Sequence, residues 1–482
     1  MNQILDSKIR SAFPAESVYK TPDRYSVFSG KILPSFIKDW LIAKYSDSYG
    51  NLDTHAISDF LKEHIPNKNS NIKSRLRVNK EELVILSRLL IETDIKNNLL
   101  RFAIPDLGIK ITEGLIPDYI AKKHVELKDG EVWGVITIIY KPPIDKVPGH
   151  IELIDFKAFN PYDVDVDYYK EARKEFSVGD WVDLLIRSME YNPDYQNSDN
   201  PSQSFTLSRK LLFLSRLIIH VEPNVNMIEL APKGTGKSYV FGNLSKYGWL
   251  VSGGVVSRAK LLYDMQRKTP GLLKLYDFVA LDEIETIKFT DENEIQGALK
   301  NYLESGTYTV ADYRGVSNSG LMLLGNIQLN EFYRPVNSSY FSGLPTIFKS
   351  SALLDRFHGF IEGWELVRIT EDIKVKGQTL NVEYFSEILH KLREIGDYAM
   401  IVNDMLEIPK NADTRDVKAV IKLTTAYLKL LFPHVQTKDD LTKEDFQKYC
   451  LAPAIYKRSI IRKQLSIMDP EYKEQMPIIT IK

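Results

Sequence analysis

The eight residues Ala231-Pro232-Lys233-Gly234-Thr235-Gly236-Lys237-Ser238 constrain this chain more than any other stretch. They follow the run Met227-Ile228-Glu229-Leu230 and precede Tyr239-Val240-Phe241, so they read as a turn between a buried strand and a helix. In that context the pattern is a phosphate-binding loop, or P-loop. Backbone N–H groups of a glycine-bearing turn at a helix N-terminus cradle phosphate oxygens, a lysine reaches the β- and γ-phosphates, and a Ser or Thr hydroxyl ligates Mg²⁺. Pro232, Lys233, Gly234, Thr235, Gly236, Lys237 and Ser238 are therefore the expected ATP-binding residues, with Lys237 on the phosphates and Ser238 on the metal. The first position of the pattern is Ala231 in place of glycine, the smallest available substitute.

Forty-five positions beyond Lys237, the apolar run Leu275-Tyr276-Asp277-Phe278-Val279-Ala280-Leu281 ends in Asp282-Glu283. This looks like a Walker B strand. A carboxylate at the C-terminal end of a strand can hold Mg²⁺, and the adjacent carboxylate can orient or deprotonate the attacking water. Asp282 is thus the second expected metal ligand and Glu283 the expected catalytic base.

The 482 residues are 44% hydrophobic and 26% charged, the balance of a globular protein with room for two or three domains. No uninterrupted apolar stretch is long enough to span a membrane, and Met1-Asn2-Gln3-Ile4-Leu5-Asp6 lacks a basic-then-apolar signal pattern, so a cytoplasmic location is expected. The single cysteine, Cys450, excludes an internal disulfide and any multi-cysteine zinc site, and reads as a core residue. A net charge of −1 neither demands nor excludes nucleic acid, so any basic surface must be local. The clearest early cluster is Lys68, Lys73, Arg75, Arg77 and Lys80, on a loop-like segment between two expected helices. It reads equally as a set of DNA phosphate contacts and as a solvated charged loop.

Residues 1–165 read as a mixed α+β domain. Helical spacing occurs at Phe36-Ile37-Trp40-Leu41 and from Glu81 to Ile95, whereas 132–140 is β-branched and strand-like, stopped by Lys141-Pro142-Pro143, with a further short strand expected at Ile151–Phe156. From Phe176 the pattern is helical, with Trp181, Leu184, Leu185 and Met189 on one face; a polar connection follows, and Leu207–His220 continues as an apolar helix into the P-loop strand. Such helices suit the N-terminal extension of ATPase modules of the AAA+ type.

Beyond Glu283, Asn293–Glu304 has helix character, and Thr307–Ala311, a turn through 312–318 and Leu321–Leu324 read as strand, turn and strand closing on Gly325-Asn326. A polar residue at that position resembles a sensor 1 residue, so Asn326 is expected near the γ-phosphate. In ring-shaped helicases the preceding hairpin points into the central channel, which makes Arg314, near the expected tip, a candidate DNA contact or else a solvated turn residue. Leu354-Asp355-Arg356-Phe357 resembles the arginine-finger segment of minichromosome maintenance helicases, in which the arginine reaches a neighbouring subunit's nucleotide. The helical run from Thr414 opens like their sensor 2 helix, with Arg415 in its first turn.

The run from Ile228 through Asn326, the Arg356 segment, Gly363-Trp364-Glu365-Leu366, 384–390 and the Arg415 helix together resemble the BrxL family of bacterial BREX phage-defence systems. The resemblance spans roughly residues 100 to 470. It implies an AAA+ ring, hexameric or a stack of two hexamers, that encloses double-stranded DNA, works with other BREX components, and uses Glu283, Arg356, Asn326 and Arg415 at its nucleotide site. Longer members carry a Lon-type protease-like domain. The 67 residues after Arg415 are too few for one, and offer no nucleophile with its base, so proteolysis is not expected of this chain. The tail's Lys457, Arg458, Arg462 and Lys463 read as the solvated face of an amphipathic helix or as contacts to nucleic acid or a neighbouring subunit.

The expectation is an α/β protein: a mixed domain over 1–165, an AAA+ P-loop core over 166–405 and a helical lid over 406–482. Its expected activity is ATP hydrolysis that drives translocation on, or remodelling of, duplex DNA. The alternatives are an ATP-switched clamp that recruits partners without translocating, and a protein-remodelling ATPase working with a separate protease.

Overall fold

The computed structural model describes residues 3–29, 33–47, 51–65, 71–94, 97–124, 126–127, 130–144, 148–162, 164–196, 204–266 and 268–482. Contacts divide the chain into one unit of Lys44–Asp163 with Asp264–Pro270, and another of Met1–Ala43, Val164–Tyr263 and Gly271–Lys482. The first 43 residues therefore lie with the P-loop unit, whereas the sequence suggested one domain over 1–165. The reason is a pairing distant in sequence: strand Ser17–Lys20 runs antiparallel to Gly377–Leu380, with Ser17 opposite Leu380 and Lys20 opposite Gly377.

The smaller unit is a closed barrel of five strands, Leu83–Asp94, Leu99–Ile104, Ile109–Ile116, Gly130–Lys141 and His150–Ala158. The first pairs with the second and fourth, the second with the third, and the fifth joins the third in parallel to the fourth in antiparallel. Helix Asp118–Lys123 sits in sequence between the third and fourth strands. This is the Greek-key order of the OB-fold. The expected strands at 132–140 and 151–156 are its fourth and fifth. The expected helix over Glu81–Ile95 is instead the first strand: its apolar residues satisfy both periods, but Leu83, Ile85, Leu89 and Ile91 point inward at alternate positions to meet Phe102, Ile136 and Phe156. Two hydrogen-bonded edges satisfy its backbone better than an isolated helix would. The basic segment ahead of it holds a helix, Ile72–Arg77, rather than a loop; Lys68 lies outside the described residues.

The larger unit is built on a five-stranded parallel sheet. Its strands lie in the order Gly359–Glu362, Asn226–Ala231, Gly320–Asn326, Phe278–Asp282 and Gly248–Ser252. The P-loop strand and the acidic strand are buried at every position, which explains their near-continuous apolar runs. Helix Lys237–Asn243 follows the P-loop, and helix Glu292–Ser305 lies where Asn293–Glu304 was expected. The expected apolar helix Leu207–His220 is divided into Leu207–Leu214, a tight turn at Ser215–Leu217 and Ile218–Val221.

Two expectations change in the segment before Asn326. The hairpin pairs Thr307–Val310 with Tyr313–Val316, its turn at Ala311-Asp312 helped by a left-handed Ala311 (φ +49°). Leu321–Leu324 is a central strand of the parallel sheet and takes no part in the hairpin. Arg314 consequently sits on the second arm, opposite Thr309, and is exposed. In the C-terminal part, helices Thr414–Leu431 and Ala452–Met468 carry the tail cations inward. Lys457 and Arg458 are buried, and Arg462 bonds Asp416 at 3.2 Å, so three of the four are neither a solvated face nor nucleic-acid contacts. Cys450 is buried among apolar residues, and burial pushes its thiol pKa up, as expected of a core cysteine.

Candidate functional site

The phosphate loop lies at the C-terminal edge of the parallel sheet. Gly234 and Gly236 hold φ of +84° and +76°, where a side chain would be strained, and a Cβ on Gly236 would come 2.1 Å from the Tyr191 hydroxyl. Lys237 begins the helix and its Nζ donates to the carbonyls of Ala231 (3.0 Å) and Pro232 (3.4 Å) and to Asn326 Oδ1 (3.3 Å). Burial holds its pKa below the usual lysine value. The ammonium thus faces the loop on polar groups it can exchange for phosphate oxygens.

Ser238 Oγ donates to Asp282 Oδ2, so the two expected metal ligands meet although they sit on different elements. A hydroxyl beside a carboxylate is a hard-oxygen donor pair of the kind Mg²⁺ takes, with its remaining oxygens drawn from phosphate and water. The donor set therefore fits the ion. Among the described residues no group of three or more His, Cys, Asp or Glu forms a metal cage elsewhere. Glu283 follows in a left-handed conformation (φ +50°), its N–H bonded to Asp282 Oδ1 at 2.9 Å, and its carboxylate is exposed. Asn326 ends the strand between the P-loop strand and the acidic strand, and its Nδ2 donates to Glu285 Oε1 at 2.5 Å.

Three residues of this constellation escaped the sequence. Arg216 and Glu229 form an ion pair with two contacts, at 2.5 and 3.0 Å, both side chains fully buried, and Arg216 also donates to the Thr235 carbonyl at 2.9 Å. The pair fastens the loop backbone to the tight turn at Ser215–Leu217. Its signal was present as a lone glutamate inside an apolar strand and an arginine inside an apolar helix, because a buried charge requires a partner. Glu285, the third acid of Asp282-Glu283-Ile284-Glu285, orients Asn326.

The other two expected residues lie elsewhere. Arg356 Nε is 3.3 Å from Glu304, and Arg415 bonds Glu304 at 3.0 Å and Asp355 at 2.8 Å, so a single carboxylate holds both arginines. Asp355 also receives the fully buried Arg458 at 2.6 Å. Arg356 precedes strand Gly359–Glu362, which starts level with Met227, and the His358 N–H reaches the Asn226 carbonyl at 2.8 Å. The pair therefore stands near the N-terminal end of the strands, whereas the P-loop leaves their C-terminal end. Five residues of strand separate Asn226 from Ala231, about 17 Å at 3.3 Å per residue. Lys237, Ser238, Asp282 and Asn326 are brought together; Arg356 and Arg415 are brought to each other and away from that group.

In the barrel unit, Lys73 pairs with Glu113 at 2.6 Å and Arg75 with Glu81 at 2.7 Å; Arg77 and Lys80 are exposed, and among the described residues neither has an ion pair.

A phosphate loop between a buried strand and a helix, with an acid-ended strand one place removed in a parallel sheet, defines the α/β core of a P-loop nucleoside triphosphatase. Residues 151–477 match the family model described as "Lon-like protease BrxL-like, ATPase domain", and residues 11–140 match "BREX system Lon protease-like protein BrxL N-terminal". The chain belongs to the BrxL family. Two curated relatives, both named "Lon-like protease BrxL", come from Escherichia coli O9:H4 (strain HS) and Bacillus cereus (strain H3081.97). The first is 26% identical over 467 residues, covering 96% of this chain and 64% of its own length. The second is 25% identical over 471 residues, covering 96% and 66%. The chain thus spans just under two-thirds of the curated relatives it matches. Among the described residues no helix is long and apolar enough to cross a membrane.

Proposed function

We propose that this chain is an AAA+ ATP hydrolase of a BREX anti-phage system, which assembles as a closed ring, a hexamer or a pair of hexamers, around double-stranded DNA. Hydrolysis is coupled to movement along the duplex or to its remodelling. The observation that carries this reading is the division of the site: phosphate-binding residues at one edge of the sheet, and two arginines sharing Glu304 near the other. Such a surface suits head-to-tail association, in which each protomer offers its arginines to the next protomer's nucleotide and the ring closes by rotation. The strand order, with the sensor strand between the P-loop and acidic strands, supports the AAA+ assignment.

Within the site, backbone amides of the loop and Lys237 bind the phosphates, Lys237 exchanging its carbonyl partners for phosphate oxygens. Ser238 and Asp282 would hold Mg²⁺, which when bound offsets charge on the β- and γ-phosphates. Glu283 accepts the proton of the attacking water, Asn326, steadied by Glu285, orients that water, and Arg356 with Arg415 of the adjoining protomer stabilises charge on the transferring group. The OB-type barrel and the exposed Arg314 on the hairpin arm support duplex binding by fold analogy and charge.

The test is the steady-state ATPase rate with and without duplex DNA, alongside Glu283→Gln. A DNA-stimulated rate that Glu283→Gln abolishes supports the motor. A wild-type protein that binds ATP and DNA yet hydrolyses negligibly in every condition replaces it with the clamp.

A further inference from the structure

Helix Glu292–Ser305 carries, at its C-terminal end, a residue that helix physics disfavours there. Glu304 lies in the last turn, just ahead of Ser305 and the left-handed Gly306 (φ +72°), where a carboxylate meets the negative end of the helix dipole. Three cations offset that cost. Glu304 Oε2 lies 3.0 Å from Arg415 Nε and 3.3 Å from Arg356 Nε, and Oε1 lies 3.4 Å from Lys418 Nζ. Asp355 reaches Arg415 as well, but its other oxygen already takes the fully buried Arg458 at 2.6 Å. One carboxylate among three cations leaves the patch positive. Glu304 therefore does not neutralise the arginines; it fixes where they point.

The two arginines depend on it unequally. Arg415 has a second anchor, from Nη1 to Asp355 Oδ2 at 2.8 Å. Arg356 Nη1 donates to the Ala352 carbonyl, and its Nε, though buried, is aligned with no acceptor, so the charge of Glu304 is what draws its head toward Arg415. Among the described residues no hydrogen bond is seen from Nη2 of either arginine. Each guanidinium is thus held on its Nε and Nη1 side. The cleft among Glu304, Asp355, Arg356 and Arg415 measures about 20 Å³, room for a water and not for a phosphate. A phosphate must meet the pair from outside, on the Nη2 groups.

We propose that Glu304 is a positioning residue for the shared nucleotide site: it holds Arg356 and Arg415 side by side, with Nη2 of each offered to the nucleotide of the adjoining protomer. The inference rests on the reading above, in which those arginines act across a protomer boundary, and adds the acid that makes them act as a pair. An arginine loses rotamer freedom when it engages a phosphate. One already held by a carboxylate has less to lose, so more of its attraction is realised on the transferring group. Glu304 touches neither nucleotide nor attacking water and acts only through the arginines.

The experiment is steady-state ATP hydrolysis with duplex DNA present, and equilibrium ATP binding, by the full chain, by Glu304→Gln and by Arg356→Ala. Each variant is also titrated with Glu283→Gln protomers. Glu304→Gln keeps the shape of the side chain and removes its charge. Expected in it are a kcat lowered by about tenfold or more and an ATP affinity within about threefold of wild type, because the protomer's own phosphate loop is untouched. Hydrolysis per Glu304→Gln protomer should then rise as Glu283→Gln protomers are added, since these lack a base of their own and lend intact arginines to the neighbouring site. A residue needed only within its own protomer gives no such rise. A smaller fall in kcat overturns the proposal, as does loss of ATP binding together with activity, or the absence of a rise where Arg356→Ala shows one. If wild type does not turn over, or if neither variant recovers at any ratio, the shared-site reading fails and this proposal with it.

Discussion

The fully buried pair of Arg216 and Glu229 separates two roles that a single substitution would confuse. In Glu229→Gln the guanidinium stays buried with its counter-charge gone, which costs about 3–5 kcal/mol. The larger unit has about 350 residues, so at about 2.1 cal/mol/K per residue its unfolding entropy is roughly 0.7 kcal/mol/K, and the loss lowers Tm by about 4–7 °C. Replacing both partners, as Arg216→Met with Glu229→Leu, removes both charges and keeps the volume, and most of the lost stability returns. The bond from Arg216 to the Thr235 carbonyl does not return. A charged donor to a neutral carbonyl is worth about 1.5–3 kcal/mol, so ATP binding in the double variant weakens by at least about tenfold even though the protein is stable. Scanning calorimetry reads the first effect and titration calorimetry with ATP the second. A double variant that binds ATP as tightly as wild type would show that Arg216 does not hold the loop; an unchanged Tm in Glu229→Gln would refute the buried-pair argument.

Arg356→Ala and Arg415→Ala should each abolish hydrolysis and spare nucleotide binding; mixing Arg356→Ala with Glu283→Gln protomers tests sharing, and no recovery of activity at any ratio counts against a composite site. Lys457 is buried, with Glu362 and Glu229 only partly offsetting the loss of solvation, and its pKa is pushed down to about 8 from the ordinary 10.5. A lowered folded pKa means stability that is present above the unfolded value and lost as pH falls through the folded one, so the protein gains stability between pH 8 and 10.5. Lys457→Met, which removes a cost of about 3 kcal/mol near neutral pH, should raise Tm and flatten that rise. On duplex DNA, Arg77→Ala and Arg314→Ala should each reduce the salt slope of binding by about one; an unaltered slope removes that residue from the interface.

Local pattern was enough to single out Lys237, Ser238, Asp282 and Asn326, which the fold brings together. The P-loop, the acid-ended strand and Asn326 were legible because each depends on residue types at fixed spacing next to an apolar run, and those runs are apolar because the strands are buried on both faces. The same runs misled where both periods were satisfied: Leu83–Asp94 reads as a helix until the barrel supplies a hydrogen-bonded neighbour on each side. The sequence could not say that Arg458 lies inside, since helical spacing does not reveal which face a partner will cover; Asp355 and Asp416 supply the charges that make burial tolerable.

By itself, then, the sequence determined the motifs on which the proposed chemistry rests: a phosphate loop, the Ser238 hydroxyl and Asp282 carboxylate proposed for a metal, Glu283 proposed as a base, and the two arginines, all carried on short stretches. Only the tertiary structure decided which of these share a site. Parallel strands put the loop at their C-terminal ends and Arg356 with Arg415 near their N-terminal ends, both held by one glutamate. It also decided that the first 43 residues lie with the nucleotide unit, through a strand pairing some 360 residues apart in the chain and the burial of Lys20 between two carboxylates. Contacts of that span leave no periodic trace, because each residue's burial is set by a partner that its own neighbourhood does not encode.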